Sequence, residues 1–250
     1  MNNRKKIVII GATSAIANQC ARLWLQKQAV DLTLVGRDAE RLKRMVSDLK
    51  VRSPESDIQS IHTDFLDQVA MEATAMSISQ AGQVDIVLIA HGSLPDQFHC
   101  QNELTACRDA LDVNGISPVL WAEAFAKQMA KANHGTLALI GSVAGDRGRK
   151  SNYVYGAAKG LVTCYVQGLQ HRFSGTGVTV VLIKPGPTDT PMTAHLKDVG
   201  ARLASAEAVA RQIVDGIEAG KPIIYAPRKW WLIMLIVRHL PALIFNKMDI

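Results

Sequence analysis

The chain has 250 residues, 48% of them apolar, and a formal net charge of +6. That length fits one α/β domain, and the apolar share is ample for a large core. The positive balance suits an anionic ligand or lipid, but no basic run is interleaved with aromatic residues like a single-strand binding groove, which excludes nucleic acid as a partner.

The opening "MNNRKKIVIIG" runs straight into a strand pattern, so no secretory leader is expected. Cys20, Cys100, Cys107 and Cys164 show no CxxC or metal-ligand spacing. They read as free thiols of a reducing cytosol, and a cytoplasmic location is expected.

Strands are predicted at 6–10, 31–35, 57–61, 84–90, 136–141, 178–183 and 222–226. Helices are predicted at 14–28, 38–50, 66–80, 101–113, 115–132, 153–173 and 205–219. Several strands are continuous apolar runs, as in strands buried on both faces. The alternation predicts an α/β fold: a doubly wound, seven-stranded parallel sheet of Rossmann type with helices on both faces. Ligands then sit beyond the carboxyl ends of the strands, where every motif below falls.

After the first strand comes "GATSAIA". Gly11 permits a tight turn, Thr13 and Ser14 can cap the next helix, and Ala15 and Ile16 begin it. Such a helix start can bind a pyrophosphate or be an ordinary β–α turn. The second strand ends in Gly36-Arg37, where an acidic residue would favour NAD. A guanidinium there suits the 2′-phosphate of NADP(H), or simply opens a solvated helix. Asp64, in "HTDFLD", can reach an adenine or cap the following helix.

Further on, "YGAAK" sets Tyr155 and Lys159 four residues apart. On a helix they share a face, and a cation there lowers the phenol pKa.

The ordered set of motifs resembles the short-chain dehydrogenase/reductase family, up to about residue 226. The resemblance rests on the Gly11 turn, Asn114 in "LDVNGISP", Ser142 in "IGSVAG", the Tyr155/Lys159 pair, and "KPGPTDTPM" at 184–192. It implies an oxidoreductase reducing a ketone with NADP(H). Tyr155 would be the proton donor, Ser142 the hydrogen-bonding partner of the carbonyl, Lys159 the modulator of Tyr155, and Asn114 the holder of a relay water. It also implies cofactor contacts at Gly11, Thr13, Ser14, Ala15, Ile16, Arg37, Asp64, Ala90, His91, Gly92, Pro185, Gly186, Thr188 and Thr190. Two features depart from the family. Ala90-His91-Gly92 replaces its Asn-Ala-Gly, and Tyr153 stands beside Tyr155 without a lysine four residues on. No metal is expected. The alternative is a redox-sensing regulator that binds NADP(H) without turnover, which has no need of Ser142, Tyr155 and Lys159 together.

Residues 1–226 read as the Rossmann-type domain and 227–250 as an extension. The extension carries "WWLIMLIV" between Arg228-Lys229 and Arg238-His239. Eight helical residues span about 12 Å against about 30 Å of bilayer core, so no crossing is expected. Peripheral membrane contact through 228–247 on the inner face, an oligomer interface and a lid over substrate are all open, and a homo-oligomer is expected. Locally, the tail and "HGSLPDQ" are similar to a subgroup that reduces a keto-sugar in decaprenylphosphoryl-ribose epimerisation, which implies an amphiphilic or lipid-linked ketone. Residues 189–204 should close over that substrate, with Met192, His195 and Leu196 as candidate contacts.

Overall fold

The first strand, β1 (Lys5–Ile10), shows why the sheet is buried on both faces. Ile7 and Ile9 point into one core, while Val8 and Ile10 point into the other, and all four are fully buried. Alternation with period two makes a continuous apolar run serve both sides. The computed structural model describes residues 4–194, 196 and 200–248.

The other strands of the main sheet are β2 (Val30–Gly36), β3 (Asp57–His62), β4 (Ile86–Ile89), β5 (Gly135–Ile140), β6 (Val178–Pro185) and β9 (Ile223–Ala226). Their order is β3-β2-β1-β4-β5-β6-β9, and every pairing is parallel. The order reverses between β1 and β4, which opens a crevice at their carboxyl ends. On one face lie α1 (Ala15–Lys27), α2 (Ala39–Arg52) and α8 (Ala206–Glu218). On the other lie α3 (Gln68–Gln80), α6 (Ser117–Ala132) and α7 (Tyr153–Arg172).

Three features differ from the sequence expectation. A short helix α4 (Gln97–Asn102), capped by Asp96, precedes α5 (Leu104–Leu111). The expected break near residue 114 is instead a π-helical turn, Asp112–Ile116, leading directly into α6. There Ser117 N–H reaches back to the Asp112 carbonyl, and Pro118 has no N–H to give the Asn114 carbonyl. Finally, two-residue strands β7 (Thr188–Asp189) and β8 (Ala204–Ser205) pair in parallel and pinch the base of the 189–204 excursion. They are too short to leave a periodic signal.

The C-terminal residues form α9 (Lys229–His239) and α10 (Ala242–Phe245). Met234 is completely buried, and Trp230 and Val237 on the same stripe are partly buried. Trp231, Leu232, Leu235 and Ile236 remain exposed. Arg147 fastens this unit by donating to the Val237 and Leu240 carbonyls, both at 2.6 Å, and its guanidinium lies 3.8 Å from the Phe245 ring centroid. No described helix is long and apolar enough to cross a membrane.

Candidate active site

A cleft opens beyond the carboxyl ends of the strands. It gathers Ser14, Ile16, Ala90, His91, Gly92 and Asn114 with Ser142, Tyr155, Lys159, Pro185, Gly186, Thr188 and Thr190.

One end is built by the turn after β1. Gly11 has φ 80°, and a Cβ there would stand 2.5 Å from the His91 backbone nitrogen. Only glycine meets both demands. Ser14 is the N-cap residue of α1, yet its side chain caps nothing, so the helix start keeps its unpaired donors. These donors, together with the helix dipole, fit a pyrophosphate.

His91 is buried, with Nε2 2.8 Å from Ser117 Oγ and Nδ1 buried without a partner. Burial, with the Lys159 and Arg37 charges, pushes it down to about 3, so the ring is neutral at any working pH. Its ring packs 4.7 Å from that of Phe65.

Arg37 is exposed at the end of β2, with its guanidinium 5.7 Å from the Phe65 ring centroid. A second guanidinium, which the sequence reading missed, belongs to Arg41 and lies 3.4 Å from the Thr13 carbonyl. It stands in the first turn of α2, just after the N-cap residue Asp38. Asp64 accepts from Leu66 N–H, and the cap of α3 is Asp67, which accepts from Val69 and Ala70. The capping reading of Asp64 is therefore corrected: the helix starts three residues later.

At the other end, Ser142 caps the 3-10 turn Val143–Asp146 by accepting from Ala144 N–H. Tyr155 and Lys159 stand one turn apart on α7, with the Lys159 amine 5.8 Å from the phenol ring centroid. That amine donates to the Ile140 carbonyl at 3.1 Å, and burial lowers it to about 8. The Tyr155 phenol differs from the sequence expectation. Burial raises it above its ordinary value, and the Ser142 hydroxyl opposes the shift. Tyr153 is 44% exposed and has no place in the cleft.

Asn114 is fully buried in the π turn. Its Oδ1 accepts from Ser93 N–H at 2.8 Å, and its Nδ2 donates to the Ala110 carbonyl at 2.9 Å. It ties the Gly92–Ser93 segment to the helix, beside Lys159. Thr188 donates to the Gly186 carbonyl, and Thr193 bridges Thr188 and Thr190. Met192 and Leu196 line the cleft, while His195 lies outside the described residues.

A model of the short chain dehydrogenase family matches residues 5–199. The chain belongs to that family. An uncharacterized oxidoreductase from the mprA 5′ region of Streptomyces coelicolor is 29% identical over 246 residues, covering 98% of this chain and 96% of that one. The aligned length therefore takes in the C-terminal extension of this short-chain dehydrogenase. A short-chain dehydrogenase from Sphingobium yanoikuyae, solved in complex with NADPH, superposes with a TM-score of 0.82 at 20% identity, over 98% of this chain and 96% of that one. A bulky-bulky ketone specific alcohol dehydrogenase from Comamonas testosteroni gives 0.81 at 20% identity, over 99% and 96%. At that identity the two structures establish the shared fold.

Proposed function

We propose that this oxidoreductase is an NADP(H)-dependent ketone reductase with Tyr155 as its proton donor. The observation that carries the reading is the convergence of Ser142, Tyr155 and Lys159 on one cleft whose far end is the Gly11 turn. The NADPH in the Sphingobium neighbour and the ketone specificity stated for the Comamonas one point the same way.

The residues fit a dinucleotide. The Gly11 turn, with Thr13, Ser14, Ala15 and Ile16, would hold the pyrophosphate, and the orphan His91 Nδ1 and the Ala90–Gly92 backbone face the same crevice. Arg37 and Arg41 would pair with a 2′-phosphate, and Asp64 would stand by the adenine. Pro185, Gly186, Thr188 and Thr190 would flank the nicotinamide, with Tyr155 and Lys159 at its ribose. When bound, the nicotinamide supplies the hydride.

The protein's part is proton delivery and charge stabilisation. As the carbonyl oxygen gains charge, Tyr155 gives it a proton while Ser142 donates a hydrogen bond to it. A phenol held above its ordinary pKa stays protonated at neutral pH, which suits reduction. Lys159, at about 8, is poised to resupply that proton, and Asn114 would hold the relay water.

The substrate is read as an amphiphilic or lipid-linked ketone, and the exposed face of α9 as a peripheral contact with anionic lipid. Trp231, Leu232, Leu235 and Ile236 form that face between the basic pairs Arg228-Lys229 and Arg238-His239. Replacing Leu232 and Ile236 by Ser should reduce sedimentation with phosphatidylserine vesicles and leave dimerisation intact. Loss of a dimer instead would assign the face to a subunit contact.

The central test is NADPH oxidation over a panel of ketones. Tyr155→Phe should keep cofactor affinity and lose about 10²–10⁴-fold in kcat, while Tyr153→Phe stays near wild type. A wild type that binds NADPH tightly yet reduces no ketone would favour the regulatory reading.

A further inference from the structure

Among the described residues, the guanidinium at the substrate end of the cleft has no acid paired with it. Arg149 lines the cleft beside Ser142, Tyr155 and Asn152. Its Nε is buried and has no hydrogen-bond partner, and its Nη2 meets only the Met234 thioether, at 3.5 Å. A sulfur is a weak acceptor, and an unpaired guanidinium is costly to desolvate.

The carboxylate whose charge reaches Arg149, Asp146, is already committed. Asp146 accepts from Lys184 through one oxygen and from the Tyr225 hydroxyl, at 2.8 Å, through the other. Both partners of that ion pair are about 97% buried or more, so the pair is locked in place. Burial depresses the Arg149 pKa, and Asp146 opposes this only from a distance. In other words, the fold keeps a cation at the cleft wall while spending the neighbouring acid elsewhere.

A second buried orphan stands three residues on. Asn152 Oδ1 lines the same cleft with no donor reaching it. Asn152 is the N-cap residue of the twenty-residue helix α7, but its side chain makes no capping bond. Its oxygen is thus left for a donor from the cleft, while the start of α7 adds positive potential there. The same cleft is also lined by the apolar Leu94, Val143, Met192 and Leu196.

We propose that Arg149 and Asn152 form a recognition subsite for an anionic oxygen group on the substrate, a carboxylate or a phosphate, with an adjacent hydroxyl donating to Asn152 Oδ1. The inference rests on the ketone-reductase reading for the identity of the reacting group, but not for the binding of the anion. Arg149 selects the substrate and takes no part in proton transfer. A planar fork of donors matches either anion in two-point fashion. The apolar lining then takes the body of the ketone.

The test has a binding arm and a turnover arm. With NADPH in excess, acetate and inorganic phosphate should each be titrated while the melting temperature is followed. Wild type should gain stability, and Arg149→Met, which keeps an apolar stem against Met234, should lose that gain. Arg149→Lys should keep part of it. In the turnover arm, 4-oxopentanoate and 5-oxohexanoate are compared with their methyl esters, and dihydroxyacetone phosphate with dihydroxyacetone. Wild type should prefer the anion by about 10–100-fold in kcat/KM, mainly through KM, and Arg149→Met should bring the ratio toward one. Preference for carboxylates over phosphate, or the reverse, identifies the anion.

An anion response that persists in Arg149→Met would overturn the subsite, because it would come from the Gly11 turn or the surface. So would a wild type with no response to either anion. If the Arg149-dependent response is present but no ketone in the panel is reduced, the subsite stands and the reductase reading is what fails.

Discussion

The Trp230 indole lies flat against Gly186, so close that a methyl on Gly186 would overlap the indole nitrogen. The C-terminal extension thereby touches the loop that follows β6, at the end of the cleft that would flank the nicotinamide. Gly186→Ala should cost about 1–3 kcal/mol as an overpacked site. Trp230→Ala should relieve that strain, so the double variant should be more stable than the sum of the singles predicts. Chemical denaturation of the four proteins measures the coupling. Additive losses would mean that the indole does not brace the loop.

Arg37 and Arg41, proposed above to hold a 2′-phosphate, should not act alike. Arg37→Ala should weaken NADPH by on the order of 1.5–3 kcal/mol and leave NADH almost unchanged. Arg41 already donates to the Thr13 carbonyl, so Arg41→Ala should also loosen the glycine turn and weaken both cofactors somewhat. Fluorescence titration with each nucleotide distinguishes the two patterns. Equal losses for NADPH and NADH in Arg37→Ala would remove it from phosphate recognition.

Lys159 is held against its own preference. Its ordinary value is 10.5, and burial brings it to about 8. Between those values the unfolded chain binds the proton more firmly than the folded protein. Stability contributed at this position therefore rises as pH climbs from 8 to 10.5, and the full penalty applies below 8. Lys159→Met should stabilise the protein at pH 7 by about 1–3 kcal/mol, after allowing for the unpaired Ile140 carbonyl, and should abolish turnover. The gain should shrink toward pH 10.5 in urea midpoints. A destabilised Lys159→Met at pH 7 would show that the amine's hydrogen bond outweighs its desolvation.

His91 predicts a pH dependence of the same sign in a lower window. Its value falls from 6.5 to about 3 in the fold, so the unfolded chain protonates first as pH drops. Its contribution is fully present above pH 6.5 and is lost between 6.5 and 3, at up to roughly 1.4 kcal/mol per pH unit. His91→Asn should flatten that part of the acid-unfolding curve. An unchanged curve would mean that the ring is charged in the folded state.

The amino-acid sequence alone determined the alternation of strands and helices, because a strand buried on both faces must be written as a continuous apolar run and a helix as a 3.6-residue stripe. It also determined the order of the motifs and, since each follows a strand, that they meet at one end of the sheet. Chemistry needing fixed spacing along one helix was legible too: Tyr155 and Lys159 share a face whatever surrounds them, and Gly11 needs its positive φ wherever β1 turns into α1.

What only the tertiary structure decided depends on burial and on partners distant in the chain. Burial raises Tyr155 where the neighbouring cation led to the opposite expectation, because removing a phenol from water disfavours its charged form. Arg149 could be seen as unpaired only once Lys184 and Tyr225, 38 and 79 residues from Asp146, were found to occupy that carboxylate. In the same way "WWLIMLIV" is apolar all round in sequence, and only packing separates the Trp230, Met234 and Val237 stripe, turned toward Gly186 and Arg149, from the face left to solvent. Local pattern specifies which residues can share a surface; which surface is covered, and by what charge, depends on contacts the linear chain does not record.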